Sequence, residues 1–229
     1  MSVVAPPDLV RRVAEGLADV RRRIAAAGRA VGDVEVLAVT KGFGPEAMAA
    51  ACANGLVDVG ENYAQEAVAK TAQLGPGIVR VHFIGRLQSN KVRLLAPVVA
   101  LWQTVDRPSL VDALARHAAG ARVLVQVNVS DEPRKGGCRD AEVGSLVDAA
   151  RARGLVVEGL MTVGRTGAPA DARPGFARLR SLCDRMGLPV CSMGMTDDLD
   201  VAVSEGATMV RVGSALFGMR PPTAPSELA

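Results

Sequence analysis

A chain of 229 residues, 49% hydrophobic but only 3% aromatic, can build one sizeable core, and that core must be aliphatic and alanine-rich. Lys and Arg (27) nearly balance Asp and Glu (24), and the clusters Arg11-Arg12 and Arg21-Arg22-Arg23 read as one solvated helix face, which excludes nucleic acid as a partner. No run approaches bilayer length and no signal-type segment opens the chain, while Cys52, Cys138, Cys183 and Cys191 show no C-x-x-C pair and no metal-ligand spacing, so a cytoplasmic protein with reduced thiols, no metal and no membrane association is expected.

A long amphipathic pattern, Asp8–Ala27, precedes the first apolar run and stands outside the repeat that follows. Strands are then predicted at Val34–Thr40, Val57–Gly60, Arg80–Ile84, Leu101–Val105, Val123–Val129, Val156–Thr162, Val190–Met193 and Thr208–Val212. Most are rich in Val, Leu and Ile without strict polar alternation, as parallel strands covered on both faces are. Between them lie helical patterns at Pro45–Asn54, Asn62–Gln73, Pro108–Ala119, Asp140–Arg153, Pro174–Met186 and Asp197–Glu205. Several open on Pro or, at Asp140, on a candidate cap, and most stop at Gly. Eight strands alternating with helices predict an α/β fold: a single (β/α)8 TIM-type barrel with an extra N-terminal helix, read as one domain over 1–229. A doubly wound open sheet is the competing architecture. The chemically unusual residues fall where strands end, which favours the barrel.

The first of these is Lys41, which closes the apolar run Val36-Leu37-Ala38-Val39-Thr40. A lysine there is paired, neutralised by desolvation, or covalently occupied as an imine; otherwise it snorkels to the rim. In the last strand, alternation puts Met209, Arg211 and Gly213 on one face. Closure of a barrel would set that strand beside the first, so Arg211 is expected near Lys41, either recognising a ligand or forming a structural salt bridge. Ser192-Met193-Gly194-Met195-Thr196 and Gly213-Ser214-Ala215 are small-residue turns after the last two strands, where barrels bind phosphate; Thr196 and Ser214 add hydroxyls. Asp197 and Asp198 disfavour an anion unless they cap the helix and point away. Asn62 stands either at the mouth or as a helix cap. His82 reads as a hydrogen-bonded core histidine, His117 as solvated, and Arg134-Lys135-Gly136-Gly137 as a flexible basic loop or lid. A lysine nucleophile, an inward arginine and a phosphate cradle suit a phosphorylated aldehyde, and pyridoxal 5′-phosphate (PLP) matches that set.

Six ordered segments carry a resemblance that covers nearly the whole chain: Leu37–Lys41, Gly60-Glu61-Asn62-Tyr63-Ala64-Gln65-Glu66, His82–Lys91, Gly159-Leu160-Met161-Thr162, Ser192–Asp198 and Met209–Gly218. In these the chain resembles the pyridoxal phosphate homeostasis (proline synthase co-transcribed) proteins. The resemblance implies a barrel like the N-terminal domain of alanine racemase, with PLP as a Schiff base on Lys41. It further implies Arg211 facing the pyridine nitrogen, Thr196, Gly213 and Ser214 on the phosphate, and Asn62 and Met161 lining the pocket. The family usually has Ser at the position of Thr196, Thr at that of Ser214, and Lys-Ser-Gly where Lys135-Gly136-Gly137 stands. Its members are regarded as PLP carriers or regulators of vitamin B6 and amino-acid balance without established catalysis, with PLP-dependent apo-enzymes as recipients and a monomer or weak homodimer expected. Weak PLP-dependent racemase or transaminase activity is the alternative. A two-base racemase needs a second proton donor, and the one tyrosine here is Tyr63. A class I aldolase-like barrel would explain Lys41 and the turns but not Arg211.

Overall fold

The computed structural model describes residues 3–220, so both ends of the predicted 1–229 span, 1–2 and 221–229, lie outside the described residues. Helix α1 (Pro7–Ala26) comes first, opened by proline and amphipathic, with Val13, Leu17, Val20 and Ile24 on its buried stripe. Strands and helices then alternate as β1 (Glu35–Val39), α2 (Pro45–Ala53), β2 (Asp58–Glu61), α3 (Ala64–Leu74), β3 (Arg80–Phe83), α4 (Val92–Leu95), β4 (Val99–Val105) and α5 (Pro108–His117). The second half continues as β5 (Arg122–Gln126), α6 (Asp140–Ala152), β6 (Val156–Met161), α7 (Arg173–Arg185), β7 (Val190–Ser192), α8 (Leu199–Ser204), β8 (Met209–Val212) and α9 (Ser214–Phe217). The eight strands are parallel and close into a barrel in sequence order, with β8 back against β1. The open-sheet alternative is thereby excluded.

Alternation along each strand divides the apolar residues into two layers. Leu37, Leu101, Leu124, Met161 and Met209 fill the barrel interior. A much larger layer, including Trp102, Phe83, Phe176 and the stripe of α1, lies between strands and helices. The closing pair aligns Leu37 with Arg211, which sets the end of β1 beside the end of β8.

Local details differ from the expected boundaries for physical reasons. Arg139, not Asp140, is the cap of α6, because the Glu142 carboxylate accepts the Arg139 backbone N–H at 2.8 Å. Helix α8 opens at Leu199 behind Asp198, two residues later than its acidic start suggested. Helices α4 and α9 are four-residue pieces, too short for a 3.6-residue period to register. Arg23 is not part of a solvated face: its guanidinium donates to Asp200 at 3.0 and 2.8 Å and to the Thr196 carbonyl at 2.9 Å. The remaining cluster is exposed, as Arg22 with Asp19 illustrates.

Helix α1 packs on α9 at Gly16, where a Cβ would stand 2.1 Å from the Ala215 carbonyl oxygen. Gly16→Ala should therefore lower Tm by about 2–10 °C although alanine is the better helix former, since overpacking outweighs propensity. A thermal melt of the single variant checks this, and a raised Tm would mean that the two helices are free to separate.

Candidate functional site

At the carboxyl ends of the strands a cavity of about 500 Å³ is lined by Lys41, Thr196, Arg211, Gly213 and Ser214, together with Val39, Phe43, Ile84, Met195, Asp197, Gly218, Met219 and Arg220. Five of the seven residues singled out from the sequence thus meet in one place. Met161 lies lower, fully buried in the interior apolar layer. Asn62 follows β2 and does not cap a helix, because Tyr63 precedes α3 as its N-cap residue. Its Oδ1 is buried without a hydrogen-bond partner among the described residues.

Lys41 emerges just past β1, half-buried. Burial, then the charges of Arg220 and Arg211, hold its ammonium below the ordinary lysine value, while Glu61 opposes them. A larger share of the amine is therefore neutral near physiological pH than for a free lysine. Arg220 carries no signal in the sequence, since it lies past the last strand and beyond the turn that drew attention.

Arg211 is buried, and burial pushes its guanidinium down to about 10, with Asp198 opposing, so it is still a cation at neutral pH. Among the described residues it makes no direct salt bridge with a carboxylate: Nη1 donates to Ser192 Oγ at 2.9 Å and Nη2 to the Thr162 carbonyl at 2.7 Å. Ser192 Oγ donates to Gln103 Oε1 at 2.7 Å, and Gln103 Nε2 lies 3.0 Å from His82 Nδ1. His82 Nε2 in turn stands 3.2 Å from Asp58 Oδ1. His82 is thus the hydrogen-bonded core histidine expected, but in a polar column that local patterning did not reveal. At the column's foot, hydrogen bonds from His82 and Arg80 overcome burial and hold the Asp58 carboxyl far below its usual range. Asp58 and His82 also approach Glu35 within 4.8 Å, at the barrel end opposite the cavity, a grouping not anticipated from spacing. His117 is exposed, as expected.

The two turns meet directly, with Ser214 Oγ donating to Thr196 Oγ1 at 3.1 Å. Ser214 opens α9, whose first N–H groups have no intrahelical acceptor. Asp198 does not face the hydroxyls, since it is buried and its Oδ1 accepts the Met195 N–H at 2.6 Å. The basic loop after β5 is stitched down: Lys135 pairs with Glu132 and donates to the Gly164 carbonyl, and Gly137 N–H reaches Asp106 Oδ2 at 3.3 Å. Gly137 has φ +120°, and a Cβ on it would lie 2.5 Å from Asn128 N, so this position requires glycine. Gly136 has ordinary room for a side chain, which accounts for a Gly standing there without consequence for the turn.

A buried cation, an amine whose proton affinity burial lowers and a hydroxyl pair can hold an anionic, aldehyde-bearing molecule. The family model of the alanine racemase N-terminal domain matches residues 16–221. The chain is 41% identical to the pyridoxal phosphate homeostasis protein of Pseudomonas aeruginosa, covering 96% of this chain and 99% of that one. This chain belongs to the pyridoxal phosphate homeostasis protein family. The solved structure of PipY from Synechococcus elongatus with PLP bound has a TM-score of 0.78 at 31% identity, covering 90% of this chain and all of that one. Alanine racemase from Corynebacterium glutamicum, at 19% identity and a TM-score of 0.70, shares the fold over 95% of this chain and 63% of its own. Among the described residues no helix is long and apolar enough to cross a membrane.

Arg220→Gln should raise the pH midpoint at which Lys41 becomes reactive, because removing a neighbouring positive charge stabilises the ammonium. Trace acetylation across pH with mass-spectrometric readout at Lys41 measures it, and an unmoved midpoint would remove Arg220 from the site.

Proposed function

We propose that the protein binds PLP at this cavity and carries or buffers it, serving vitamin B6 and amino-acid homeostasis without dedicated catalysis. The observation that carries the reading is the meeting of Lys41, Arg211 and the Thr196–Ser214 hydroxyl pair at one cavity. The orphaned Asn62 Oδ1 at the end of β2 is a further group in want of a partner. PLP supplies a reversibly reactive aldehyde and an electron-withdrawing ring. The Lys41 amine, whose proton affinity burial and the nearby arginines lower, would be the group that takes the aldehyde. Thr196, Ser214 and the N–H groups around Gly213 bind the phosphate. Arg211 would face the ring nitrogen; a guanidinium donates hydrogen bonds and keeps its proton, so it would leave that nitrogen unprotonated and weaken the ring as an electron sink. Asn62 and Met161, which do not line the cavity itself, would complete the pocket from the β2 and β6 side.

Support for a carrier over an enzyme comes from the proton donors available. The chain's one tyrosine, Tyr63, is exposed at the start of α3, and both histidines are accounted for away from the cavity. Racemisation or transamination through Lys41 alone would be slow. PLP-dependent apo-enzymes are the recipients we propose.

The purified protein with added PLP should show a visible absorbance band, and borohydride should fix one cofactor on the peptide carrying Lys41. Lys41→Ala should lose that label. Thr196→Val with Ser214→Ala should weaken PLP binding about 10- to 100-fold, by removing two hydrogen bonds to an anion. Full labelling elsewhere with none on Lys41 would overturn the assignment of the site.

A further inference from the structure

Lys70 carries a charge into a part of the fold whose packing does not require one. It follows Glu66 by four residues on α3, a spacing that on a solvated helix makes a surface ion pair of little worth. Here the Lys70 side chain is only 6% exposed. Its Nζ donates to the Thr40 carbonyl at 2.9 Å, to Glu61 Oε1 at 2.9 Å and to Glu66 Oε2 at 2.8 Å. Those three acceptors use every N–H that an ammonium has.

The same acceptors hold the chain around Lys41. Glu61 Oε1 also takes the Thr40 hydroxyl at 2.6 Å, and Glu66 Oε2 also takes the Gly42 backbone N–H at 3.0 Å. Thr40 and Gly42 are the two neighbours of Lys41. One ammonium is therefore bound directly to the peptide group before Lys41 and, through Glu66, to the peptide group after it. The strand ladder reaches Thr40 N–H, which donates to the Gly60 carbonyl at 3.0 Å, and Gly42 turns away at φ +74°. Buried ion pairs recover little of their desolvation cost, and a methionine would fill the same space between β1, β2 and α3. What the cluster adds is a defined position for two peptide groups.

We infer that Lys70, with Glu61 and Glu66, is a positioning residue that fixes the Thr40-Lys41-Gly42 backbone so that the Lys41 amine meets the aldehyde of a bound pyridoxal phosphate in attack geometry. This rests on the role given to Lys41 above. In the capture step the neutral amine's nitrogen would bond to the aldehyde carbon, and its two hydrogens would leave with the carbonyl oxygen as water. The protein's contribution is then where that nitrogen is held, a term that small displacements reduce steeply.

The test uses Lys70→Met and Glu66→Gln in the full chain, with thermal melts to establish folding. Stopped-flow absorbance gives the rate of PLP capture, and borohydride trapping gives its yield on Lys41. Pyridoxine 5′-phosphate, which has the phosphate and ring but no aldehyde, reports the rest of the site. The expected result is capture slowed about 10-fold or more with pyridoxine phosphate affinity held within about twofold. Unchanged capture, or a parallel loss of both readouts, would overturn the inference and leave Lys70 with a purely structural role. Should Lys70→Met fail to fold, Glu66→Gln decides, since it keeps the Lys70–Glu61 pair. A parent protein that traps no cofactor on Lys41 would instead strike the functional reading itself, which separates the two failures.

Discussion

A guanidinium sealed inside a parallel barrel has to be solvated by the barrel. Among the described residues Arg211 has no direct carboxylate partner; it has Ser192 Oγ and the Thr162 carbonyl, and each of these is anchored in turn. Thr162 is fixed through its hydroxyl to the Val127 carbonyl at 2.7 Å, and Ser192 through Gln103 to His82 and Asp58. The column runs from the cavity end of the barrel to the opposite end, where it meets the Asp58 carboxylate. Buried polar groups are tolerated when every member has partners. That requirement fixes Ser192, Gln103 and His82 as tightly as packing fixes the leucines around them.

The two lysines near the end of β1 show how one neighbourhood produces opposite chemistry. Lys70 has every N–H engaged by oxygen acceptors and none left to offer a ligand. Lys41 is pressed by its own burial, and then by Arg220 and Arg211, toward the neutral amine. Both sit within reach of Glu61, whose carboxyl burial pushes up against the pull of Lys70 and Thr40. The difference lies in direction, since Lys70 points between strands and helix whereas Lys41 opens into the cavity.

Most of the architecture was legible because local signals and global fold agree. Proline opens α1, α2 and α5 among others, apolar runs mark the strands, and their order left only the closure of β8 on β1 to be inferred. Lys41 and Arg211 were legible because a charge in an apolar strand needs a reason. Thr196 and Ser214 were legible because small-residue turns after late strands have a known use. Arg23, Lys70 and Gln103 were not. Each looks ordinary in its own window: a helix-face arginine, an i,i+4 ion pair and a polar residue in a strand. Their significance lies in partners far off in sequence, such as Thr196 for Arg23 and Ser192 for Gln103. No periodicity encodes such a pairing.

The anchoring of the Thr196 turn by α1 has a consequence for biosynthesis. Arg23 and Asp200 are 177 positions apart, and β1 likewise waits for β8 before its free edge is covered. A nascent chain therefore presents Lys41 early, on an unfinished strand, with neither Arg211 nor the hydroxyl pair yet translated. Long-range closure of this kind is slow and leaves a strand edge open in the interim. Thr196, Arg211 and Ser214 must all have left the ribosome before the cavity they share with Lys41 can form, so that cavity belongs to the closed barrel alone.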